Sequence, residues 1–396
     1  MELRPATKEE FDAFSVAALR AFHRVYTEHD RERYEKIDEP ARSLAWFDDD
    51  GSIVATTGAF TRRMAVPGGT VPCAAVTAVA VVPTHRRRGL LTSMMRRQLD
   101  DVRDRGDLIA ALVASEGAIY GRFGYGVGIR AARLRARRPA ASLASPQAAG
   151  GTLRAGPAGI HVEAMRAIHE RVWPHLPGML DRPGAWWEDR LEDPESRRDG
   201  AQPLQAAVVD DGYVLYAVRP EWADDGAAGD VRIRELVTAT PAARTQLWGF
   251  LIDQDLTTTI TWEPAPVDEP LWLMLGDPRA VQASVGDALW LRLVDVEGAL
   301  RARTYAGDPG VVLDVTDAFC AWNAGRYRLA AGTCERTDAA PDLALDVTDL
   351  AVAYLGGTTL RSLWEAGRVE EHTLGAVARA SAAFRGDVEP WSPDRF

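Results

Sequence analysis

The sequence predicts a mixed α/β protein, with both α/β and α+β character, made of three successive regions. Helical and strand-like patterns alternate up to about residue 145, a stretch rich in Ala, Pro, Gly and Ser covers residues 138–159 as a linker, and the pattern changes again from residue 288. A chain of 396 residues is also longer than one hydrophobic core usually supports. We therefore predict domains over residues 1–145, 146–287 and 288–396.

The first region contains the pattern of a βαβ unit with parallel strands. A valine-rich apolar run ends at Pro83, a helical pattern starts at Gly89, and a second buried strand follows. Two earlier strands flank an Asp-Asp-Asp-Gly turn, and a helix precedes them. The predicted elements are a helix over residues 9–29, strands over 44–48, 52–65 and 75–82, a helix over 89–105 and a strand over 108–114.

The second region repeats this layout. Its strands are predicted over residues 205–218, 231–239 and 258–262, with a helix over 241–255 between the last two. It has no glycine where the first region has Arg-Arg-Arg-Gly, so we expect an architectural repeat without a second copy of that turn.

The third region is predicted to be an α+β domain, because a run of strand patterns is followed by helical ones. The predicted strands cover residues 289–294, 298–304, 310–315, 325–330 and 343–346, and the predicted helices cover 348–355 and 373–384.

Composition excludes several classes of protein. A net charge of −11 argues against nucleic acid as a partner and would favour cationic substrates if the charge faced the site. The three cysteines, Cys73, Cys320 and Cys334, are too few and too scattered for a disulfide framework or a zinc site. No apolar run reaches the roughly 18 residues of a membrane span, and no targeting segment opens the chain. We expect a soluble, cytoplasmic protein that binds neither membrane nor metal.

The strongest chemical signal is the segment from Val79 to Thr92, in which a strand leads through a basic turn and a glycine into a helix. The backbone N–H groups of a helix N-terminus are unpaired and carry the positive end of the helix dipole, so they suit a pyrophosphate. Gly89 would let a phosphate approach the backbone, and Arg86 to Arg88 add positive charge. The alternative is a solvated basic turn.

The segment resembles the Arg/Gln-x-x-Gly-x-Gly/Ala signature of GNAT N-acetyltransferases, with Arg86 and Gly89 matching and Leu91 departing from it. Together with Ser115-Glu116-Gly-Ala-Ile-Tyr120-Gly-Arg-Phe-Gly-Tyr-Gly, it closely resembles the enhanced intracellular survival (Eis) family of bacterial acetyltransferases. Both motifs, their spacing, the three regions and the final phenylalanine agree, so the resemblance covers essentially the whole chain.

The resemblance implies two tandem GNAT-like domains, the second without a cofactor, followed by a domain similar to sterol carrier proteins. It implies acetyl-coenzyme A as co-substrate and assembly as a homohexamer. Carried over position by position, the residues expected at the cofactor are Val79, Ala80, Val81, Arg87, Arg88, Gly89, Leu90, Leu91, Thr92, Ser115 and Glu116. Ala80 and Leu90 would act only through their backbone.

Acetyl transfer to an amine needs a base, because alkylammonium groups have pKa values near 10. The seven histidines, His23, His29, His85, His161, His169, His175 and His372, sit singly and offer no cluster. The resemblance implies that the base is the terminal carboxylate of Phe396, where two prolines and two aromatic residues stiffen the tail and give it apolar surface to bury. A frayed terminus is the alternative.

A general acid is expected at Tyr120, because the resemblance places the Tyr-x-x-x-Gly-aromatic pattern there and a tyrosine suits protonation of the leaving thiolate. Tyr125 is the competing candidate, with packing as its alternative role. A backbone N–H near Val81 would face the developing negative charge on the carbonyl oxygen.

For the acceptor, the resemblance implies aminoglycosides, as in antibiotic resistance, or lysine side chains. A pocket for such cations could use the acidic residues near the first helix, or the segment could be a solvated helix face. Four tryptophans could form flat walls for sugar rings or belong to the core. The acidic candidates are Glu28, Asp30, Glu32, Glu35 and Asp38, and the tryptophans are Trp186, Trp187, Trp262 and Trp391.

Two other functions stay open at the level of sequence. The likeness to sterol carriers could mean lipid binding or a scaffold, in which case residues 343–374 would line a cavity open to solvent. A transferase for longer acyl chains is the other possibility, because N-myristoyltransferases also pair two GNAT-like halves with a terminal carboxylate base.

Overall fold

The computed structural model describes residues 1–138, 141–144, 152–224, 226–330 and 332–396. These residues form two compact units. Unit 1 comprises Met1–Ile129, Leu289–Asp387 and Arg395–Phe396, and unit 2 comprises Arg130–Ala288 and Val388–Asp394. In the described residues, no helix is long and apolar enough to cross a membrane.

The strands of the described residues are numbered in chain order. They are β1 (Glu2–Pro5), β2 (Leu44–Phe47), β3 (Ile53–Val66), β4 (Gly69–Val81), β5 (Ile109–Leu112), β6 (Gly126–Val127), β7 (Arg130–Arg137), β8 (Arg154–Pro157), β9 (Gln205–Val209), β10 (Gly212–Arg219), β11 (Trp222–Ala223), β12 (Gly226–Ala227), β13 (Gly229–Thr238), β14 (Thr257–Ala265), β15 (Val281–Asp287), β16 (Trp290–Leu293), β17 (Val311–Thr316), β18 (Gly325–Ala330), β19 (Thr333–Arg336), β20 (Leu343–Asp346) and β21 (Val369–Glu371).

The α-helices are numbered in the same way. They are α1 (Phe11–Ala21), α2 (Glu28–Ile37), α3 (Leu90–Asp104), α4 (Gly117–Tyr120), α5 (Val162–Val172), α6 (Ala185–Leu191), α7 (Pro241–Ile252), α8 (Leu271–Met274), α9 (Val296–Ala302), α10 (Val347–Tyr354), α11 (Leu360–Glu365) and α12 (Ala376–Phe384). Helices and sheets are both substantial, so the predicted mixed α/β class is confirmed.

The first sheet of unit 1 has the strand order β1-β2-β3-β4-β5-β16-β6. Pro67 and Gly68 form the two-residue turn between the long antiparallel strands β3 and β4, and Gly68 supplies the positive φ of 81° that such a turn needs. Strands β4 and β5 pair in parallel and α3 connects them, which confirms the predicted βαβ unit.

Helix α3 packs one apolar face on this sheet. Met94, Met95, Leu99 and Val102 recur at helical spacing and are at most 2% exposed. Burial of side chains of this size is the main source of favourable free energy in folding. This packing fixes the position of the N-terminus of α3 at the carboxyl end of β4.

The predicted helix over residues 9–29 is wrong as a single helix. The chain forms α1 and α2 instead, and His23 between them has a positive φ of 56°. The second helix starts at a capping box, in which the Thr27 hydroxyl accepts from the backbone N–H of Asp30 and the Asp30 carboxylate accepts from the backbone N–H of Thr27. That box satisfies N–H groups that a continuous helix would have paired internally.

Two predictions for the third region also need correction. Strand β16, predicted to open the C-terminal sheet, pairs with β5 and β6 of the first sheet. Residues 298–304, predicted as a strand, lie mostly in helix α9, because Asp295 accepts a hydrogen bond from the backbone N–H of Gly298 and caps the helix. The remaining strands form a sheet of order β19-β18-β17-β20-β21 with helices α10 to α12.

Unit 2 contains the predicted architectural repeat. Its main sheet has the order β15-β7-β14-β13-β10-β9-β8, and β13 and β14 pair in parallel through α7. The predicted strand over residues 205–218 is a hairpin of two strands, β9 and β10.

The linker predicted over residues 138–159 is only partly testable, because residues 139–140 and 145–151 lie outside the described residues. Its last part is not a linker. Arg154–Pro157 forms β8, which pairs with β9 at the edge of the sheet.

A glycine contact gives the first testable prediction. A Cβ atom added at Gly126 would lie 2.4 Å from the backbone oxygen of Thr348 and 2.6 Å from Val352. We expect Gly126→Ala to lower the free energy of unfolding by about 1–3 kcal/mol, since a backbone atom cannot yield as a side chain can. Urea unfolding measures this. Gly121→Ala is the control, because a Cβ there meets no atom within 4 Å and its φ of −56° suits alanine. Equal stability of the two variants would contradict the contact.

Candidate functional site

The candidate site begins where β4 and β5 diverge. Their parallel pairing covers only Cys73 to Ala75 of β4, while the other edge of β4 stays paired with β3 as far as Val81. Within the described residues, no strand pairs with the β5-facing edge of β4 from Val76 to Val81. We call this edge the first opening. It presents backbone N–H and C=O groups that a bound amide group could pair with.

A β-bulge lies in the middle of the first opening. Thr56 of β3 pairs with Ala80 and Gly58 pairs with Thr77, so β4 has one extra residue between these pairs. Ala78 has a positive φ of 53°, and the Thr56 hydroxyl donates a hydrogen bond of 2.7 Å to its carbonyl oxygen. The bulge re-aims the backbone of Val79 to Val81, the predicted binding segment.

The turn after β4 leads directly to an uncapped helix end. Gly89 is the residue before α3, with a φ of 82°, and no side chain in the described part of the chain caps the first N–H groups of this 15-residue helix. Arg87 also has a positive φ, of 63°. His85 is held by Asp48 at 3.2 Å and by Thr84 at 2.9 Å, which anchors the turn to the sheet. Free N–H groups and the helix dipole together favour an anion here.

Side-chain exposure separates the predicted cofactor residues around the turn into three groups. Arg87, Arg88, Gly89 and Thr92 are exposed, whereas Ala80 and Leu90 are buried, as expected for positions that act only through backbone. The half-buried residues are Val79, Val81 and Leu91. Leu90 packs with Val54, Ala55 and Met94, so its side chain belongs to the core.

Ser115 and Glu116 follow β5 and are both exposed. Because β4 and β5 are parallel, their carboxyl ends lie at the same edge of the sheet. The structure therefore brings all the predicted cofactor residues to one edge, around the first opening.

Tyr120 lies at the end of α4, just after these two residues, and is 4% exposed. The pKa of Tyr120 is raised to about 12, mainly by burial and less by the charge of Glu116, while a hydrogen bond with Ser115 opposes the rise. The phenol is therefore protonated throughout the neutral range.

Tyr125 packs edge-on against Tyr120, with ring centroids 6.1 Å apart. It is fully buried, and within the described residues its hydroxyl has no hydrogen-bond partner. Burial raises the pKa of Tyr125 well above its ordinary value. The packing role considered for Tyr125 fits this environment better than the role of acid.

The chain end is partly docked. Trp391 and Ser392 are buried, so the segment before the terminus is not frayed, and Phe396 is half-buried. Phe396 belongs to unit 1, as do Tyr120 and the first opening.

The acidic candidates near the first helix divide by their contacts. Asp30 belongs to the capping box and is 2% exposed, which gives it a structural role. Glu28 and Glu35 form ion pairs with Arg31, at the surface of α2, and Glu32 is exposed. These contacts favour the solvated helix face for most of the run.

Asp38 differs from the others. Its Oδ2 atom is buried and has no hydrogen-bond partner among the described residues. Burial raises the pKa of Asp38 to about 8, and the charge of Arg33 opposes this. Nearby, Tyr26 stacks on Tyr34 at 6.4 Å. A carboxyl group with such a buried oxygen gains an ion pair if an ammonium group binds beside it.

Three of the four candidate tryptophans belong to the core. Trp187, Trp262 and Trp391 are at most 2% exposed, so they cannot form the walls of an open pocket. Trp186 is half-buried.

Residues 343–374, which a lipid-binding function would place around a cavity, contribute to a surface recess of about 770 Å³. Asp346, Arg368, Glu370 and Glu371 contribute to its lining. Ionisable groups of this number do not suit an acyl chain or a sterol. Among the described residues, no cluster of three His, Cys, Asp or Glu side chains could hold a metal ion.

Sequence reasoning missed Thr56, which supports the bulge from a strand 22 residues away along the chain. It also missed Arg292, which is fully buried, pairs with Asp317 and influences the pKa of Tyr125. Neither residue belongs to a motif, and only the pairing of distant strands reveals them.

Three sequence families match successive parts of the chain. An acetyltransferase (GNAT) domain family matches residues 2–128, a second acetyltransferase (GNAT) domain family matches residues 178–293, and a sterol carrier protein domain family matches residues 296–393. These matches confirm the predicted order of domains. The boundaries at residues 145 and 287 stay a prediction.

Individual relatives agree. An uncharacterized N-acetyltransferase from Streptomyces coelicolor is 45% identical over 412 residues, which cover 100% of both chains. The N-acetyltransferase Eis of Mycobacterium tuberculosis is 35% identical over 382 residues, covering 88% of this chain and 91% of its own. The crystal structure of Eis1 from Mycobacterium abscessus has a TM-score of 0.90 at 34% identity, with 100% of both chains covered.

The environment of Asp38 gives the second prediction. Since burial raises the pKa of Asp38 to about 8, the folded protein keeps a proton that the unfolded chain releases near pH 4. This contribution to stability is complete below about pH 4 and is lost as the pH rises towards 8. We expect Asp38→Asn to gain stability relative to the wild type between pH 5 and pH 8.

Urea unfolding at both pH values measures this difference. Glu32→Gln, at an exposed position of α2, is the control and should follow the wild type at both pH values. A constant difference between Asp38→Asn and the wild type would show that the Asp38 carboxyl has an ordinary pKa.

Proposed function

Because the chain belongs to the Eis family of GNAT N-acetyltransferases, we propose that it transfers the acetyl group of acetyl-coenzyme A to amines of polycationic acceptors, with Tyr120 as acid and the Phe396 carboxylate as base. The sequence identity of 35% to the N-acetyltransferase Eis of Mycobacterium tuberculosis, over 88% of this chain, supports the acetyltransferase activity. The observation that carries the proposed site is the first opening beside the uncapped N-terminus of α3. Aminoglycosides and lysine side chains are the acceptor classes that we propose.

The residues around the first opening fit coenzyme A. The free edge of β4 suits the amide groups of the pantetheine arm, and the N–H groups after Gly89 suit the pyrophosphate. In this proposal Val79, Ala80 and Val81 hold the pantetheine arm, Arg87 to Thr92 hold the pyrophosphate, and Ser115 and Glu116 contact the far side of the molecule.

The base has to act on an ammonium group. With a pKa near 10.4, roughly one alkylamine in 2,500 is neutral at pH 7. The Phe396 carboxylate accepts a proton from the ammonium group, and the neutral nitrogen then attacks the thioester carbonyl carbon. An ordinary terminal carboxyl has a pKa of about 3.3–3.7, so burial of this group would make it a stronger base.

The acid acts when the carbon–sulfur bond breaks. The phenol of Tyr120 is protonated in the neutral range, so it enters each cycle as a donor to the leaving sulfur. A backbone N–H near Val81 stabilises the negative charge on the carbonyl oxygen. The nitrogen loses its second proton to solvent as the tetrahedral intermediate collapses, so the products are the amide, the coenzyme A thiol and one proton. The proton accepted by Phe396 returns to Tyr120 through solvent.

For the acceptor, we propose that Asp38 binds one ammonium group. It is the acidic candidate whose buried oxygen lacks a partner in the described part of the chain. The net charge of −11 favours approach of a polycation over a distance. A homohexamer and a cytoplasmic location are further proposals that rest on the family alone.

The third prediction concerns the acid. Tyr120→Phe removes the hydroxyl and keeps the ring, so we expect kcat to fall about 10²-fold while the KM for acetyl-coenzyme A changes little. Steady-state kinetics with a saturating amine measures both constants. Tyr125→Phe is the matched control, because the Tyr125 hydroxyl has no partner among the described residues to lose. An equal fall in the two variants would assign the effect to packing.

The fourth prediction concerns the base. Adding two glycine residues beyond Phe396 moves the terminal carboxylate by up to about 7 Å. We expect turnover of acetyl-coenzyme A with a panel of aminoglycosides and lysine peptides to fall about 10²-fold or more. Calorimetry should show that coenzyme A binding is retained. The same extension before Met1 is the control.

Unchanged turnover in the extended protein would remove the terminal carboxylate from the mechanism and direct the search for a base to the acidic residues of α2. If no amine in the panel is acetylated by the native chain, the acceptor class is wrong. A panel of longer acyl-coenzyme A donors tests the alternative transferase in the same assay.

A further inference from the structure

Unit 2 has an opening like that of unit 1. Its parallel strands β13 and β14 pair only as far as Ile233 and Trp262. Beyond this point β13 carries a bulge at Arg234, between the pairs that Ile233 and Glu235 make with β10. We call the diverging ends of these strands the second opening.

The C-terminal segment Val388–Asp394 runs along the second opening. Trp391 donates from its indole nitrogen to the backbone oxygen of Pro264, at 3.1 Å, just beyond Trp262, the last residue of β14 that pairs with β13. Its ring packs edge-on against Trp262 at 5.9 Å, and its backbone N–H donates to Pro177 at 2.9 Å. Trp391 is 2% exposed, so the opening is closed by the protein's own chain at this point.

The same segment is tied to β13 through two arginines. Arg182 forms an ion pair with Glu235 of β13 at 2.9 Å and another with Asp394 of the tail at 3.1 Å. Arg190 contacts Glu235 at 2.8 Å and donates to the backbone oxygens of Arg234 and Pro393. We call Arg182, Arg190, Glu235 and Asp394 the tail clamp.

The charges of the tail clamp balance. Its two arginines balance its two carboxylates, and Tyr213 donates a further hydrogen bond to Glu235. Burial alone would raise the pKa of Glu235, but the charges of Arg182 and Arg190 outweigh burial and lower it. All members except Arg190 and Asp394 are at most 1% exposed, so the pairs are shielded from solvent.

The helix after β13 is also closed to an anion. The Thr240 hydroxyl accepts from the backbone N–H of Ala243, and Pro241, the first helical residue, has no N–H. In unit 1 the corresponding end of α3 has no side-chain cap from any of the described residues. Both features that suit coenzyme A in unit 1 are therefore occupied in unit 2.

We infer that the tail is a built-in occupant of the second opening and that Arg182, Arg190 and Glu235 are positioning residues, which fix the terminal carboxylate of Phe396 by holding Asp394. The second half of this inference rests on the proposed role of Phe396 as base. Phe396 follows Asp394 by two residues, so its position is set to within about 7 Å of a clamped atom. If the tail clamp is broken, the terminal carboxylate of Phe396 stays part of the chain but is no longer held in a fixed position.

The test uses Asp394→Asn in the full-length protein, and it has one readout that is independent of catalysis. Carboxypeptidase A releases a C-terminal aromatic residue and stops at the arginine that precedes it, so free phenylalanine reports how often the tail leaves its site. We expect release to become about tenfold faster, as a charge-assisted hydrogen bond is lost from the docked state. We also expect kcat to fall about tenfold with an unchanged KM for acetyl-coenzyme A.

Two further variants separate a local effect from unfolding. Asp211→Asn is the matched control, since Asp211 pairs with Arg171 at the surface of the same unit. It should leave both release and kcat at wild-type values. Trp391→Phe keeps an aromatic side chain but removes the hydrogen bond to Pro264 and part of the packing against Trp262, so it loosens the tail without changing a charge. It should change both readouts in the same direction as Asp394→Asn.

Each outcome decides a different part of the inference. Unchanged release of phenylalanine in Asp394→Asn and Trp391→Phe would overturn the tail clamp. Faster release with unchanged kcat would confirm an occupied second opening and overturn the positioning role, whereas the extension beyond Phe396 decides the proposed base separately. Faster release together with a lower kcat, in variants whose thermal unfolding matches that of Asp211→Asn, supports both halves.

Discussion

The constraint on which the rest of the structure depends is the divergence of two parallel strands that a crossover helix joins. Each unit contains such a pair, and each pair separates after a few residues: beyond Ala75 in unit 1 and beyond Ile233 in unit 2. The polar backbone groups along a diverging strand need a partner, which must be a ligand, water or another part of the chain. The group that fills the opening therefore determines what the unit can bind there. The same βαβ framework can hold either a ligand or a segment of the chain.

Holding a peptide with a buried ionic cluster costs free energy, because the charged groups lose their hydration. Its advantage over apolar packing alone is that it fixes the register of the tail. An apolar segment can bind an apolar groove in several registers, whereas Arg182 can pair with Asp394 in only one. A slip of one residue would move the chain end by about 3.5 Å, which is more than a hydrogen bond tolerates. Such a cluster suits a chain end whose exact position matters.

The sequence pattern predicted those parts of the fold that depend on residues close together in the chain. The valine run, Gly89 and the apolar face of α3 all lie within one short segment, and β4, α3 and β5 were confirmed there. The errors arose in two ways. The capping box at Thr27 and the cap at Asp295 were visible in the sequence and show where a helix begins, but the surrounding hydrophobic patterns outweighed them. The placement of β16 beside β5 had no local signal, because strand pairing across nearly 180 residues leaves none.

The candidate site divides in the same way. Tyr120 and Gly89 were found because they belong to motifs, whereas the tail clamp joins residues 53 and 212 positions apart and belongs to none. Every chain has a terminal carboxylate, so its presence cannot mark a catalyst. What distinguishes this one is that the residues before it are fixed, because Asp394 pairs with Arg182 and Trp391 donates to Pro264. Under the proposed mechanism, the filling of the second opening and the placement of the base would have a single structural cause.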